Sequence, residues 1–124
     1  MIIGIGVDVV HVYRLKRWEK IPGLYQRFFH EAELAAALPR GEAGILSLAA
    51  RFAAKEAFGK ALGTGLHGFS LREIAVVNDQ YGKPHLQLYG RAQEAMESSG
   101  GRRALVSLSH ERDNALAMVV VEGD

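Results

Sequence analysis

Three residues stand where their chemistry conflicts with the surrounding pattern: Asp8, Glu56 and Lys60. Asp8 lies in residues 2–10, a β-branched, glycine-punctuated segment. Its period of two puts Ile3, Ile5, Val7 and Val9 on one face and Ile2, Gly4, Gly6 and Asp8 on the other. Carboxylates are depleted in strands, and Gly4 and Gly6 leave this one on a nearly bare face, open to close approach by a backbone or a phosphate. A glycine-flanked Asp at a strand end serves equally as a turn former. Glu56 raises the same question from a helix. At about 100° per residue from Ile45, Leu48, Ala49, Phe52, Ala53 and Ala57 cover a sector from roughly −60° to 120°, with Glu56 near 20° and Lys60 near 60°. A carboxylate amid apolar side chains needs a cation, a metal or a shifted pKa. The simplest answer is a Glu56–Lys60 pair one helical turn apart, in the favourable order. Two carboxylates on rigid elements with a lysine beside one of them also form a hard-cation site, in which Mg²⁺ bridges to phosphate oxygens of a substrate.

Other residue types are less telling on their own. Neither Gly4-Ile5-Gly6 nor Gly63-Thr64-Gly65 belongs to a phosphate-loop pattern. Gly63 follows a helix end, where the dipole repels anions, so it reads first as a cap, and a phosphate nearby would be held by Lys60. His110 ends the run Ser107-Leu108-Ser109-His110 and reads as a turn histidine, with no hydrolase-triad spacing around it. His11, His30, His67 and His85 show no metal-ligand spacing. Arg14, Lys16, Arg17 and Lys20 suit either a solvated helix face or a docking patch for an acidic partner.

These residues need elements to position them. The pattern predicts a strand over 2–10 and a short amphipathic helix over 12–20, ended by Pro22-Gly23. A helix over about 31–38 closes at Pro39 and Gly41, and the longest helix runs over 45–62 with Gly63 as its cap. Residues 73–78 and 85–89 read as strands joined by the turn 79–84, and 90–99 as a short helix. The tail alternates over 104–110 and 115–122 around 111–114, a hairpin signal. Strands flanking a helical middle predict an α+β fold, an antiparallel sheet packed on one long helix, in a single domain over 1–124.

Composition excludes several classes. The chain has 124 residues, 48% of them hydrophobic, so it is long enough to bury a core and too short for two domains. It has no cysteine, hence no disulfide, thiolate site or cysteine nucleophile, which suits a reducing compartment. Lys+Arg at 15 against Asp+Glu at 14 gives +1, far from the basic excess that nucleic-acid binding requires. No apolar run approaches the roughly 20 residues of a membrane span. Residues 1–10 carry Asp8 and lack a basic lead, so they read as a strand and not a signal peptide. The expectation is a cytoplasmic protein that binds neither nucleic acid nor membrane.

Four segments in order along the chain carry a resemblance: Ile5-Gly6-Val7-Asp8-Val9-Val10, the run from Arg51 to Gly65 (RFAAKEAFGKALGTG), Gly82-Lys83-Pro84, and Ser107-Leu108-Ser109-His110. The chain resembles the holo-acyl-carrier-protein synthases, the short bacterial class of 4′-phosphopantetheinyl transferases. The resemblance implies their fold and their reaction, transfer of the phosphopantetheine arm of coenzyme A to a serine hydroxyl of apo acyl carrier protein, releasing adenosine 3′,5′-bisphosphate, with Mg²⁺, for fatty acid synthesis. It implies that Asp8 and Glu56 ligate the metal and that Lys60 contacts the diphosphate. Coenzyme A contacts would fall at Arg51, Gly63, Lys83, Pro84 and His110, with Arg51 and His110 near the adenosine phosphate end. It further implies a homotrimer with coenzyme A at the subunit seams. Carrier proteins of this kind are acidic, which makes Arg14 the first docking candidate, with Arg17 and Arg27 behind it. Two positions depart from the family's habit: His11-Val12-Tyr13 follows the aspartate segment, and His30 precedes Glu31 where Thr is usual. Two other readings remain: a non-catalytic coenzyme A or nucleotide-binding module, and a Mg²⁺-dependent phosphohydrolase with water as acceptor.

Overall fold

The structure is a computed structural model that describes residues 1–124. Its elements are β1 (Ile2–His11), α1 (Val12–Glu19), α2 (Leu24–Phe28), α3 (Glu31–Ala37), α4 (Glu42–Leu62), β2 (Ile74–Asn78), β3 (Pro84–Leu88), α5 (Gly90–Ser98), β4 (Arg103–His110) and β5 (Asn114–Glu122). The class is α+β as the pattern predicts, but the strands form two antiparallel sheets instead of one: β1-β5-β4 and the hairpin β2-β3. Two further differences are local. α4 begins at Glu42, ahead of the predicted Ile45, and α2 occupies a stretch with no predicted element. α2 is a single short turn, entered from Gly23 at φ 79°, and too short for its apolar residues to show a period.

α4 lies across the three-stranded sheet, against β1 and β5, with α1, α3 and β2 around its other sides. The face of β1 that meets it is the glycine face. A Cβ on Gly4 would collide with the carbonyl oxygen of Ala61, and one on Gly6 with that of Ala57, so the two backbones touch with no side chain between them. That decides between the two roles open to these glycines: they admit a backbone. The aliphatic face of β1 points outward. Ile5, Val7 and Val9 are 61%, 48% and 56% exposed, and Leu116 and Met118 of β5 lie beside Val9 and Val7 in register.

Surrounded on several sides, α4 is buried around most of its circumference, so the single apolar face drawn from the sequence does not exist. Arg51 and Lys55 are buried along with the alanines. Lys55 survives burial because its three donors are all used: Glu33 Oε1 at 2.6 Å, the carbonyl of Leu71 at 3.0 Å and the carbonyl of Ile74. Glu33 Oε1 also accepts from the His30 N–H at 3.0 Å, and Oε2 from the Val76 N–H at 3.0 Å. This one pair therefore ties α3, α4 and β2 together. Burial pushes the Lys55 ammonium below the usual lysine range, and the charge of Glu33 opposes that push.

Candidate functional site

Because β1 touches α4 through glycine, Asp8 comes to rest beside the C-terminal half of the helix. Lys60 Nζ lies 3.0 Å from Asp8 Oδ1 and 3.0 Å from the carbonyl of Val7. The Glu56–Lys60 pair weighed on helix spacing is replaced by this cross-element contact. Glu56 is half-buried and its carboxyl is held above the usual range. Burial is the first cause and the charge of Asp8 the second, while Lys60 and Arg14 pull the other way. Asp8, Glu56 and Lys60 are thus brought together.

The donor set fits a hard dication. Two hard carboxylates from rigid elements raise each other's energy, and a cation would relieve both. No group of three or more His, Cys, Asp or Glu side chains gathers to hold a metal, so the protein would fill only two positions.

A second cluster opens along the same helix. Arg51, Lys83, Pro84 and His110 line one cleft of about 510 Å³ between α4, the β2-β3 hairpin and β4. Arg51 Nη1 donates to Ser47 Oγ at 3.1 Å and to the Glu33 carbonyl at 3.5 Å, which aims the guanidinium from the helix into the cleft wall. Burial pulls the Arg51 pKa down, the charge of Glu33 opposes this, and nearby Arg40 adds to the pull. Lys83 is set by its loop. Asp79 Oδ1 accepts from the N–H groups of Tyr81 at 2.8 Å and Lys83 at 3.0 Å, and Oδ2 lies 3.1 Å from His85 Nε2. Between Arg51 and Lys60 the helix advances about 14 Å. None of Asp8, Glu56 and Lys60 lines the cleft, so the two clusters stand apart along α4. Gly63 stays apart from the cleft: it is the left-handed cap of α4, with φ 79° and its N–H on the Lys60 carbonyl.

The cleft also holds Ser107, from the run that ends at His110, and three polar residues that sequence reasoning passed over: Arg40, Ser47 and Asn78. Ser47 was within reach, since it precedes Arg51 by one helical turn. Arg40 lies in the turn before α4, and only the fold returns it to the cleft. Of the docking candidates, Arg14 and Arg17 are exposed on α1 and Arg27 is exposed on α2. Arg14 lies closest to the carboxylates in effect, since its charge is felt at Glu56.

The family model described as the 4′-phosphopantetheinyl transferase superfamily matches residues 4–118. The chain belongs to this superfamily. Among curated relatives, it is 50% identical over 123 residues to the holo-[acyl-carrier-protein] synthase of Treponema denticola, covering 99% of this chain and 100% of that one. The superfamily fold is equally clear in solved structures. The holo-[acyl-carrier-protein] synthase of Neisseria meningitidis superposes with a TM-score of 0.87 at 38% identity, covering 98% of this chain and 99% of that one. A holo-(acyl-carrier-protein) synthase from Bacillus anthracis, solved in complex with CoA (3′,5′-ADP), gives 0.82 at 33% identity over 100% of this chain and 99% of that one. In this superfamily member α4 carries Glu56, Lys60 and Arg51, while Asp8 comes to the site from β1.

Proposed function

We propose that this protein, as a single domain over 1–124, transfers the 4′-phosphopantetheine group of coenzyme A to a serine hydroxyl of an apo acyl carrier protein. The observation that carries the reading is the placement of Asp8, Glu56 and Lys60 toward one end of α4, the helix whose buried Arg51 lines a basic cleft. In the reaction the serine oxygen forms a bond to the pantetheine-side phosphorus of the diphosphate. The bridging P–O bond breaks, and adenosine 3′,5′-bisphosphate leaves.

Phosphoryl transfer asks the protein mainly for positioning and charge compensation. Arg51, Lys83, Pro84 and His110 hold the nucleotide end of coenzyme A, and Lys60 offsets the charge that gathers on the departing bisphosphate. Mg²⁺ held by Asp8 and Glu56 would supply Lewis-acid neutralisation of the diphosphate oxygens. Glu56, its carboxyl held above the ordinary range by burial and the charge of Asp8, accepts the serine proton directly or through a water. Gly63 ends α4 so that the chain turns away just past Lys60, leaving the diphosphate room.

The finer assignments rest on the same reading. The apolar outer face of the β1-β5-β4 sheet, with Ile5, Val7, Val9 and Met118 exposed, supports a homotrimer in which further copies cover it and coenzyme A lies at the seams. Arg14, Arg17 and Arg27 meet the acidic carrier. No helix is long and apolar enough to cross a membrane. Fatty acid synthesis in the cytoplasm is the setting that a cysteine-free transferase of this kind suits.

The test is the intact mass of an apo acyl carrier protein after incubation with the protein, coenzyme A and Mg²⁺, beside an Asp8→Ala control. A phosphopantetheine adduct that is absent in the control is the expected result. An unmodified carrier despite coenzyme A binding would leave a binding module in its place, and bisphosphate released without any carrier would indicate hydrolysis.

A further inference from the structure

Arg14 and Arg17 both rest on aromatic rings, Arg17 on Tyr13 alone at 5.9 Å and Arg14 on two rings at once. Lys16 lies 3.7 Å from Glu42. The Arg14 guanidinium has no carboxylate partner and no hydrogen bond within the chain. It lies 5.2 Å from the centre of the Trp18 ring and 5.6 Å from that of Phe52. The two rings meet nearly edge to face, 5.0 Å apart at 83°, and form a corner. Phe28 backs that corner, 5.2 Å from Trp18 and 5.9 Å from Phe52. Phe52 is buried on α4, one turn before Glu56. Trp18 lies one turn after Arg14 on α1 and packs on the core.

A guanidinium that rests on aromatic rings with no acceptor in its own chain keeps its N–H groups free for a bidentate grip on a carboxylate or phosphate. An exposed arginine otherwise loses rotamer entropy when it forms such a grip, and a preformed seat reduces that loss.

We propose that Trp18 is a positioning residue. It seats Arg14 in the corner made with Phe52, next to Glu56, so that the guanidinium meets an acidic side chain of the carrier with its donors already aimed. The inference rests on the reading that Arg14 docks the carrier. It assigns to Trp18 no contact with either substrate.

The experiment measures kcat and both KM values, for apo acyl carrier protein and for coenzyme A, in Trp18→Leu, Trp18→Phe, Arg14→Gln and the Arg14→Gln/Trp18→Leu double variant. Trp18→Leu is expected to raise KM for the carrier about three- to fivefold, the range of a partly exposed cation–π contact. The coenzyme A KM should stay put, Trp18→Phe should recover most of the loss, and Trp18→Leu should add nothing in the Arg14→Gln background. Equal effects of Trp18→Leu with and without Arg14 would overturn the proposal, as would a parallel rise in the coenzyme A KM, which marks general damage to the fold. If Arg14→Gln leaves the carrier KM unchanged, the docking reading itself fails and takes this role of Trp18 with it. If Arg14→Gln raises that KM while Trp18→Leu does not, only the seat fails. A folding-independent check uses the Arg14 side-chain NMR resonances, which the ring current of Trp18 displaces. They should move toward ordinary arginine positions in Trp18→Leu, and unchanged resonances would overturn the seat.

Discussion

Lys60 reaches from α4 to β1 and places its ammonium 3.0 Å from Asp8 Oδ1, leaving Glu56, one turn behind it on the same helix, without that lysine. The contact crosses 52 residues of chain and exists because the glycines of β1 let strand and helix backbones touch. It links the two elements that carry the acidic pair.

Replacement of Lys60 by Met should lower kcat for phosphopantetheine transfer by about 10²- to 10³-fold, the loss typical of removing one stabiliser of transition-state charge. The fold should barely notice. The Lys60 side chain is about half exposed, so the ion pair is worth less than about 1 kcal/mol of stability. Steady-state kinetics beside a urea melt checks both halves, and a melt that shifts by several kcal/mol would refute the division.

Glu56→Gln should stabilise the metal-free protein at neutral pH. The folded state holds the Glu56 carboxyl above its ordinary value of 4.5, so the folded protein binds that proton more tightly than the unfolded chain does. Ionised Glu56 therefore costs stability above its folded pKa, and the cost fades as pH falls through that pKa toward 4.5. The Tm advantage of the variant should follow the same course and vanish in acid. Added Mg²⁺ at neutral pH should reverse the order, stabilising only the parent protein. Thermal melts across pH, with and without the metal, give the answer.

Gly6→Ala should destabilise by several kcal/mol, since its new methyl group has only the rigid backbone of α4 at Ala57 to displace. Gly4→Ala should behave alike, against Ala61. Urea unfolding measures the loss. A melt like that of the parent would mean that strand and helix are not in backbone contact.

Lys55→Met should cost about 3–5 kcal/mol, because it strands the buried carboxylate of Glu33. The double variant Glu33→Leu/Lys55→Met removes both charges and should regain much of that loss, less the hydrogen bonds to Val76, Leu71 and Ile74. A double variant as unstable as the sum of the singles would show that the pair acts through its hydrogen bonds and not through its charges. The comparison is a double-mutant cycle on urea midpoints.

The local layer of this protein is written in its amino-acid order. The strand opening the chain, the long helix and its stop at Gly63, and the hairpin around 111–114 are legible because periodicity and turn chemistry act over a few residues. Asp8, Glu56 and Lys60 were legible as anomalies for the same reason: a charge inside an apolar period has to be explained. Tertiary structure alone decided which face of β1 is buried. An alternating pattern marks two faces without ranking them, and the bare glycine face went inward because α4 approaches to backbone contact. It also decided the partner of Lys60, since a helix-local pair and a strand 52 residues away compete for the same ammonium. The burial of Lys55 escaped the sequence for a related reason. Its partner Glu33 lies 22 residues earlier on a separate helix, and only packing turns two solvent-loving side chains into the tie between α3, α4 and β2.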